Sequence, residues 1–489
     1  MSALPTTRRP FVIAAVMASM FMVAIEATIV STAMPQIVGQ LGDLSLYSWV
    51  FSSFLLTQTA ATVVFGKLSD VYGRKPVMLA GIGVFLAASL LCGFARSMPA
   101  MIVFRLLQGI GAGAIQPISL TIVGDLYSAE ERGRIQGFLA SVWAVSAVIG
   151  PLAGGFIIEH ASWSWIFWLN LPVGLLAAAG FTVFLHEGVA RERRRIDAAG
   201  AALFTVTIGA LMVALTEAGA SDGRGAVMAA CVAAIGAVLF VVQERLAPEP
   251  VIAFSVWSRR PIAASNGCSL LAGMALIGLT TFLPMYVQGV LGQTPLVAGL
   301  ALTVMVLGWP IGATLAARSL KRFGLRPILL TGSLLLPLGA SLLLTLGPGS
   351  ASLVAGLASL VMGFGMGLLS TAALVLIQEI VPWSQRGSAT ASNVFARNLG
   401  STLGATVFGA VLNHGLGHAG AGVSTDQLQR LLASGEAAAA GFAEIRTALQ
   451  QALHLTFWAM FAIAVAGVVL ASLVPHVPLG RARGTTPAE

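Results

Sequence analysis

Ionisable residues inside apolar sequence are the positions at which this chain can do chemistry. Glu26 lies in the apolar run 11–33, and Arg105 lies in the apolar run 99–122. A charged side chain inside a membrane is costly and marks a functional position by default. A carboxylate in a low-dielectric site binds or releases a proton when the balance between its burial and a nearby cation changes. The pair therefore predicts proton uptake and release at Glu26, with Arg105 adjusting its proton affinity.

The positions of these two residues along their runs favour a contact between them. A helix rises about 1.5 Å per residue, so Glu26 lies roughly 22 Å from the inner end of the run 11–33. By the same rise, Arg105 lies about 9 Å from the outer end of the run 99–122. In a hydrocarbon core about 30 Å thick, both groups are then about 8 to 9 Å below the outer surface. The alternative is a static buried ion pair that only orders the two helices.

A third intramembrane charge, Arg397, lies near the middle of the run 388–412, which contains no acidic residue. It has to face a cavity or find a partner elsewhere, and a substrate anion or a lipid phosphate are candidates. The amides among the candidate cavity residues can equally form hydrogen bonds between helices, and the tryptophan can equally face lipid or core. The candidate substrate-cavity residues are Gln58, Gln108, Trp143, Asn266, Asn393 and Arg397.

A compact charged segment, "GKLSDVYGRKPVM" at residues 66–78, joins two of the apolar runs. Gly66 and Gly73 permit a sharp turn and close packing of helices. Asp70 can lie at the N-terminus of a neighbouring helix, where the helix dipole favours a carboxylate. The alternative is that Arg74 and Lys75 serve only as anchors at the membrane surface.

The elements that must position these groups are membrane-spanning helices. Only 9% of the 489 residues are charged and 57% are hydrophobic, whereas a soluble domain has about 25% charged residues. Long continuous apolar runs favour helices over the alternating strands of a membrane barrel. The fourteen predicted spans are 11–33, 47–66, 77–95, 99–122, 136–158, 163–186, 197–217, 225–243, 261–288, 295–316, 327–347, 352–377, 388–412 and 451–474.

The distribution of basic residues predicts the orientation of the chain. Of the 27 Lys and Arg residues, 21 lie in the N-terminal tail and in the connections on its side of the membrane. Basic residues stay on the cytoplasmic side, so both termini are predicted to be cytoplasmic. The net charge of +8 is thus mainly a topological signal. Scattered over short loops, these residues form no basic face, which argues against nucleic-acid binding.

An internal repeat divides the chain into two related halves. Residues 109–133 align with 363–387 without a gap at an offset of 254 residues, so that Asp125 corresponds to Glu379 and Arg132 to Arg386. A weaker match pairs Gly73 with Gly324 at an offset of 251 residues. Duplicated six-span halves related by an axis along the membrane normal are typical of transporters that rock around a central site.

Several motifs resemble those of the major facilitator superfamily. "GKLSDVYGRKP" resembles its motif A, "RLLQGIGAGAIQP" at 105–117 its motif B, and "GPLAGG" at 150–155 its antiporter motif C. Fourteen spans with an inserted pair are similar to drug:proton antiporter family 2 within it. The first span, "IEATIVSTAMPQI" at 25–37, resembles that family's motif with one departure, because Glu26 stands where the family has aspartate.

This resemblance implies roles for particular residues. Asp70 would contact the helix that begins near Gly387, and Arg74 would pair with Asp125, with Arg132 close by. These contacts would form a conformational latch between the halves on the cytoplasmic side, built on Gly66, Asp70, Gly73, Arg74, Lys75, Asp125 and Arg132. The motif C residues would permit close packing and a helix bend rather than contact substrate, and they are Gly150, Pro151, Gly154 and Gly155.

The expected fold is an all-α integral membrane protein with the major facilitator architecture, two six-helix halves plus two inserted helices. Residues 1–186 are predicted to form the N-terminal bundle, 187–260 a linker with the inserted pair, and 261–475 the C-terminal bundle. The second bundle includes an external loop at 413–450, and residues 476–489 form a cytoplasmic tail.

The expected function is proton-coupled export of amphipathic drugs or other lipophilic compounds by alternating access, in a monomer in the cytoplasmic membrane surrounded by membrane lipids. The alternatives are export of a lipid or lipid-like metabolite and a sensor or scaffold that moves nothing. An enzyme is not expected, because nucleophile, base and orienting group do not occur at meaningful spacing and there is no phosphate-binding loop. We expect no cofactor apart from the proton. The His414 and His418 spacing suits zinc, but their Gly-rich surroundings argue against a metal site.

Overall fold

The chain folds into a bundle of long helices, as a computed structural model describes it. The structure describes residues 7–41, 46–187, 197–217, 224–248, 250, 254–293, 295–418 and 443–476. The linker residues 188–196, most of the predicted external loop (419–442) and the tail residues 477–489 lie outside this part. In the described ranges the regular structure is helical, which agrees with the all-α fold predicted from sequence.

Sixteen α-helices are present in the described residues, numbered in chain order, with a short 3-10 turn at Trp383–Gln385 before α15. Their bounds are α1 Arg9–Leu41, α2 Tyr47–Tyr72, α3 Arg74–Gly93, α4 Met98–Leu126, α5 Ala129–His160, α6 Ser164–Trp168, α7 Asn170–Phe184, α8 Ala198–Glu217, α9 Arg224–Leu246, α10 Phe254–Trp257, α11 Arg260–Gly289, α12 Pro295–Phe323, α13 Leu325–Leu344, α14 Ser352–Ile380, α15 Arg386–His418 and α16 Ala443–Ser472.

Eleven helical segments of the described chain are long and apolar enough to cross a membrane, with α6 and α7 together forming one of them. The other three predicted spans correspond to α5, α15 and α8, and the apolar part of α8 covers only Ala199–Ala214. The chain is thus a multi-pass membrane protein, and the count of fourteen spans stays a prediction.

The helices pack as two groups, with the predicted inserted pair placed against their junction. α1 to α7 contact one another in the first half, and α11 to α16 do so in the second half. The halves meet where α2 packs on α15 and where α5 packs on α12. α8 packs on its partner α9 and also on α2 and α15, so the inserted pair covers one of the two seams between the halves.

The two halves repeat the same helix register. α3 and α13 are both 20 residues long and begin 251 residues apart (325 − 74). α4 and α14 are both 29 residues long and begin 254 residues apart (352 − 98). The loop at 345–351 is three residues longer than its counterpart at 94–97, which explains why the offset changes from 251 to 254.

Sharp turns separate the second and third helices of each half. Gly73 has a φ of 91° and Gly324 a φ of 77°, a region of backbone conformation that favours glycine. Elsewhere a capping box starts α5, since the Ser128 side chain accepts from the Glu131 amide while Glu131 accepts from the Ser128 amide. The hydrogen bond that the Ser128 amide donates to its carboxylate is the largest cause that lowers the pKa of the exposed Glu131.

Glycines allow α2 and α4 to approach each other closely. A Cβ added at Gly113 would lie 2.6 Å from the Gln58 carbonyl oxygen of α2 and 2.8 Å from the Ala61 side chain. Small residues at such contacts let helix backbones pack tightly in a membrane. Gly83 of α3 provides a contrast, since a Cβ added there would meet no atom within 4 Å.

We expect Gly113→Ala to destabilise the protein, because the new methyl group forces α2 and α4 apart. Overpacking of this kind costs about 1–3 kcal/mol. The matched control is Gly83→Ala, which gains helix propensity of about 0.8–1 kcal/mol without a clash. Thermal unfolding of the purified variants in detergent measures both effects. Equal melting temperatures for the two variants would contradict the close approach.

Candidate functional site

Asp70 joins the two halves at the end of the bundle where α2 meets α3, which we call the latch end. Its carboxylate accepts hydrogen bonds from the backbone amides of Gly387, at 2.9 Å, and Ser388, at 2.7 Å. These amides belong to the first turn of α15, which has unpaired N–H groups and the positive end of the helix dipole. A Cβ at Gly66 would collide with Ala391, so this glycine lets α2 reach α15.

Arg74 is the most connected side chain at the latch end. Its Nε donates to Asp125 at 2.9 Å, and its guanidinium lies 3.1 Å from the Asp70 carboxylate. Another nitrogen donates to the Trp383 carbonyl oxygen of the second half, and the guanidinium carbon lies 4.0 Å from the centre of the Trp383 ring. The side chain is almost fully buried. A buried arginine with these partners does more than anchor the chain to a membrane surface.

Two further ion pairs cross between the halves, and the internal repeat relates them. Arg132 of α5 pairs with Glu379 of α14 at 2.9 Å, and Arg386 of α15 pairs with Asp125 of α4 at 3.3 Å. Each arginine therefore reaches the acid of the other half. Arg132 was expected close to Arg74 and Asp125, and it lies near enough to Asp125 to interact with that carboxylate electrostatically. Its own ion pair, however, is with Glu379 across the interface.

Contacts within the first half hold the turn before Arg74 in place. Glu187 accepts from the backbone amides of Arg74 and Lys75, at 2.7 and 3.1 Å, and so caps the start of α3. The Lys75 ammonium donates to the carbonyl oxygens of Thr182 and Leu185 at the end of α7. The motif A lysine thus contacts its own half, whereas Asp70 and Arg74 contact the other half.

A cavity of about 920 Å³ lies between the halves on the far side of the latch. Its wall takes residues from α1, α2, α4 and α5 of the first half and from α11, α12, α14 and α15 of the second, with Met212 from the inserted α8. Aromatic and aliphatic side chains predominate, including Phe54, Trp143 and Trp309. The volume and lining suit a drug-sized amphipathic molecule.

Glu26 lies on the cavity wall in a buried polar network. One carboxylate oxygen accepts from Arg105 at 2.5 Å, and the other accepts from the Asn170 amide at 2.6 Å. Arg105 also donates to the Gln108 side-chain oxygen at 2.7 Å and to the Val50 carbonyl oxygen at 3.0 Å. The contact expected from the depths of Glu26 and Arg105 is therefore present, and α1, α2, α4 and α7 all contribute to it.

The predicted cavity residues separate into two groups. Gln58, Trp143, Asn393 and Arg397 line the cavity. Gln108 does not contribute to the described wall, because its amide is bonded to Arg105 and to Ser89 inside the first half. Asn266 does not contribute to it either, because its side chain is bonded to Ser392 and Asn393 between α11 and α15. These two amides form the hydrogen bonds between helices that the sequence left open as the alternative to a cavity contact.

The glycines of motif C lie in α5, away from the described cavity wall. A Cβ at Gly150 would collide with Thr28, whose hydroxyl donates to the Ser146 carbonyl oxygen at 3.1 Å, so Gly150 brings α5 against α1. Gly154 is buried, whereas a Cβ at Gly155 would meet no atom within 4 Å. Pro151 lies within the same helix. A packing role is thus supported at Gly150.

Sequence reasoning missed several residues of the site. Asn170 is a polar residue inside the apolar run 163–186, and this position is the one sequence signal that could have identified it. Trp309 and Asn398 line the cavity without any motif. Arg386 and Glu379 do appear in the repeat alignment, but their crossed pairing depends on how the halves face each other, which the alignment does not contain.

We expect reversal of one charge at the crossed pair to open the latch end. Arg132→Glu places a second carboxylate against Glu379, and breaking a buried ion pair costs about 3–5 kcal/mol. The reporter is a cysteine at buried Ser69, which lies against Gly387, in a variant without the three native cysteines. The alkylation rate follows the population of the open latch end, and about 1.4 kcal/mol of lost stabilisation raises that population tenfold. Alkylation should therefore accelerate by about tenfold or more in Arg132→Glu.

The double change Arg132→Glu with Glu379→Arg should return the alkylation rate towards that of the parent, because it restores the pair with opposite polarity. Arg134 is exposed on the same helix, so Arg134→Glu is the matched control and should change little. An unchanged rate in the single variant, or failure of the double change to restore it, would contradict the latch assignment.

Comparison with known proteins agrees with this architecture. The profile of the Major Facilitator Superfamily matches residues 16–405. Multidrug transporter protein MdtP of Bacillus subtilis (strain 168) is 34% identical over 446 residues, which are 89% of this chain and 81% of that protein. Multidrug resistance protein 3 of the same organism is 35% identical over 405 residues, which are 82% of this chain and 79% of that protein.

A solved structure is similar in fold. The crystal structure of the human organic anion transporter MFSD10 (TETRAN) superposes with a TM-score of 0.64 over 95% of this chain and 99% of that chain, at 16% identity. At this identity the likeness concerns the fold alone. The family profile and the two bacterial relatives, together with the paired bundles and the cavity between them, establish that this chain belongs to the major facilitator superfamily and is a multi-pass membrane transporter rather than an enzyme.

Proposed function

We propose that this protein exports amphipathic drugs or other lipophilic compounds in exchange for protons, by alternating access across the cytoplasmic membrane. The single observation that carries the proposal is the position of Glu26. This carboxylate is buried among helices of the first half and at the same time lines the cavity between the halves. A proton acceptor on the wall of the transport cavity is what coupling requires.

The cavity supports an amphipathic substrate. Its wall offers wide aromatic and aliphatic surface with a small number of polar groups, which is the composition of sites that bind drug-sized molecules. The relatives named multidrug transporter protein MdtP and multidrug resistance protein 3 support the same substrate class. A molecule that partitions into lipid can leave water for this cavity at little cost in desolvation.

Alternating access is supported by the contrast between the two ends of the bundle. The ion pairs and hydrogen bonds of Asp70, Asp125, Arg132 and Arg386 close the latch end, while the cavity lies beyond them. Breaking these few contacts would let the two halves move apart at the latch end without unfolding either half. The two halves would then rock against each other about the cavity, as expected for duplicated bundles.

Orientation follows from the charges of the connections. The latch end carries the turn with Arg74 and Lys75 and the start of α5 with Arg132 and Arg134. Basic residues favour the cytoplasmic side, so we propose that the latch end and both termini face the cytoplasm. We also propose that one chain in contact with membrane lipids is sufficient, because the latch, the network and the cavity all form within one chain.

The coupling role of Glu26 competes with a purely structural role. Its two oxygens accept from Arg105 and Asn170, so the network is satisfied when the carboxylate is ionised. Proton binding would weaken the contact with Arg105 and change the packing of α1 against α4 and α7. A structural ion pair would hold these helices in place throughout the cycle. The two roles give different results on substitution.

We expect Glu26→Gln to abolish pH-gradient-driven accumulation of substrate in liposomes, because the amide keeps the size of the side chain but carries no exchangeable acidic proton. Exchange down a substrate gradient should continue. Glu26→Asp should be much milder, because it keeps the carboxylate with a reach shorter by one methylene. Uptake of a lipophilic dye into proteoliposomes with and without an imposed pH gradient is the measurement.

Folded yield and melting temperature separate the two roles. If the pair is only structural, Glu26→Gln and Arg105→Ala each lower the melting temperature and the double change recovers it. Full gradient-driven accumulation by a stable Glu26→Gln variant would refute the proton site, and Asp125 and Glu379 would become the next carboxylates to test.

Export of a lipid or lipid-like metabolite by the same mechanism is a second candidate function. The observation that favours it is Arg397, a cation on the wall of an otherwise mainly apolar cavity. A lipid would present both a charged head group and a long apolar body to such a wall.

A further inference from the structure

Arg397 is a cavity residue whose charge no protein group balances in the described part of the chain. It lies in the middle of α15 and lines the cavity between the halves. A guanidinium carries five N–H donors in a fixed planar arrangement and remains charged in proteins. Among the residues that the structure describes, no carboxylate forms an ion pair with this guanidinium and no side-chain or carbonyl oxygen accepts a hydrogen bond from it.

The charges on the described cavity wall do not cancel. Glu26, Arg105 and Arg397 are its ionisable members. Glu26 and Arg105 form an ion pair with each other, and Arg105 has additional partners in Gln108 and Val50. The wall therefore has a net charge of about +1 when Glu26 is ionised, and this charge is located at Arg397. An uncompensated charge in an apolar cavity is costly, so binding of an opposite charge is favoured.

The polar groups next to Arg397 already have partners within the protein. Asn393, one turn earlier, donates to Ser269 at 2.8 Å and to Asn266 at 3.3 Å. Ser401, one turn later, donates to backbone carbonyl oxygens of its own helix and of α11. The hydroxyl of Thr402 donates to the Asn398 carbonyl oxygen. These neighbours orient α15 against α11, whereas the guanidinium is left as a donor for a ligand.

The rest of the wall suits the apolar part of such a ligand. Trp143 of α5 and Trp309 of α12 line the same cavity, as do Phe54 of α2 and aliphatic residues of α11. Trp143 keeps 36% of its surface exposed and contributes aromatic surface to the wall. A cationic head group beside Arg397 would bring like charges together, which disfavours binding.

We propose that Arg397 binds the anionic head group, a carboxylate or a phosphate, of an amphipathic substrate whose apolar body packs on the aromatic wall. This inference rests on the proposed function in that it takes the cavity to be the transport site. It goes further by naming the charge of the substrate and the residue that recognises it. A guanidinium matches both head groups, because it donates two parallel hydrogen bonds to paired oxygens.

The sign of the substrate charge decides how much net charge crosses the membrane in each exchange with a proton. Inward movement of one proton and outward movement of one monovalent anion both transfer positive charge into the cell. Exchange of one proton for one monovalent cation transfers none. An inside-negative membrane potential should therefore accelerate export of an anion and leave one-for-one export of a cation unchanged.

The test uses three fluorescent probes that share one medium-length hydrocarbon chain and differ only in the head group. One ends in a carboxylate, one in the corresponding methyl ester and one in a trimethylammonium group. Binding to the purified full-length protein in detergent is measured by fluorescence anisotropy. The parent should bind the carboxylate most tightly, and a charged hydrogen bond of about 1.5–3 kcal/mol corresponds to about tenfold or more in affinity.

Two variants isolate the role of Arg397. Arg397→Gln should weaken binding of the carboxylate by about tenfold or more while leaving the ester unchanged, and Arg397→Lys should retain part of the preference. Arg96 is an exposed arginine of the loop between α3 and α4, so Arg96→Gln is the matched control and should bind all three probes as the parent does. Because Arg397 makes no ion pair with any residue that the structure describes, Arg397→Gln should melt no lower than the parent.

The source of the head group is settled by a second arm. A phosphatidylglycerol with a fluorescent acyl chain is placed in one leaflet of proteoliposomes, and its transfer to the other leaflet is followed by chemical quenching. Transfer that is lost in Arg397→Gln identifies an anionic lipid as a substrate. Export of the carboxylate probe without lipid transfer identifies a free amphipathic anion. Both outcomes support the proposal.

The inference is overturned if Arg397→Gln binds the carboxylate as tightly as the parent, or if the trimethylammonium probe binds the parent more tightly than the carboxylate. Equal binding of the carboxylate and the ester by the parent also overturns it, because the guanidinium would then not distinguish a charged head group from a neutral one. These binding results do not depend on transport. Failure of a pH gradient to drive accumulation of any probe would instead count against proton-coupled export and leave head-group recognition standing.

Discussion

The rest of the structure depends on a buried carboxylate, Asp125, that is shared between the halves. It accepts from Arg74 of its own half at 2.9 Å and from Arg386 of the other half at 3.3 Å. Charges removed from water need nearly complete compensation, and loss of one partner leaves a costly unpaired charge. Under the proposed alternating access, loss of one contact of this network would weaken the others, so the latch end would open cooperatively.

The internal repeat explains why few residues are enough to connect the two halves at the latch end. The repeated register puts an acid at the end of the fourth helix and an arginine at the start of the fifth helix in each half, so that Arg132–Glu379 mirrors Arg386–Asp125. The symmetry is incomplete, because the position of Arg74 is taken by Leu325 in the second half and that of Asp70 by Lys321. Within the described residues, Asp70 of the first half accepts at the N-terminus of a helix of the other half, and its counterpart Lys321 cannot do the same.

Much of this organisation was predictable from the sequence because the membrane simplifies the problem. Long apolar runs predict helices, and the depths of Glu26 and Arg105 predict their contact, since helical rise is fixed. Which side chains face the cavity was less accessible. Gln108 and Asn266 carry the same amide as Gln58 and Asn393, and only the rotation of each helix about its axis decides between the interior of a half and the cavity wall. The lack of an acidic residue in the span of Arg397 was visible in the sequence. Its position on the cavity wall required the three-dimensional packing.

Alternating access is tested most directly by the distance between the two halves at each end of the bundle. Spin labels at exposed positions 134 and 322 would report the latch end across α5 and α12, and labels at 156 and 300 would report the opposite end. Double electron–electron resonance over a range of pH, with and without an amphipathic substrate, gives both distributions. We expect a second, longer distance at the latch end, whose population grows as the distance at the opposite end shortens. A single latch-end distance under all conditions, in a protein that still transports, would contradict alternating access.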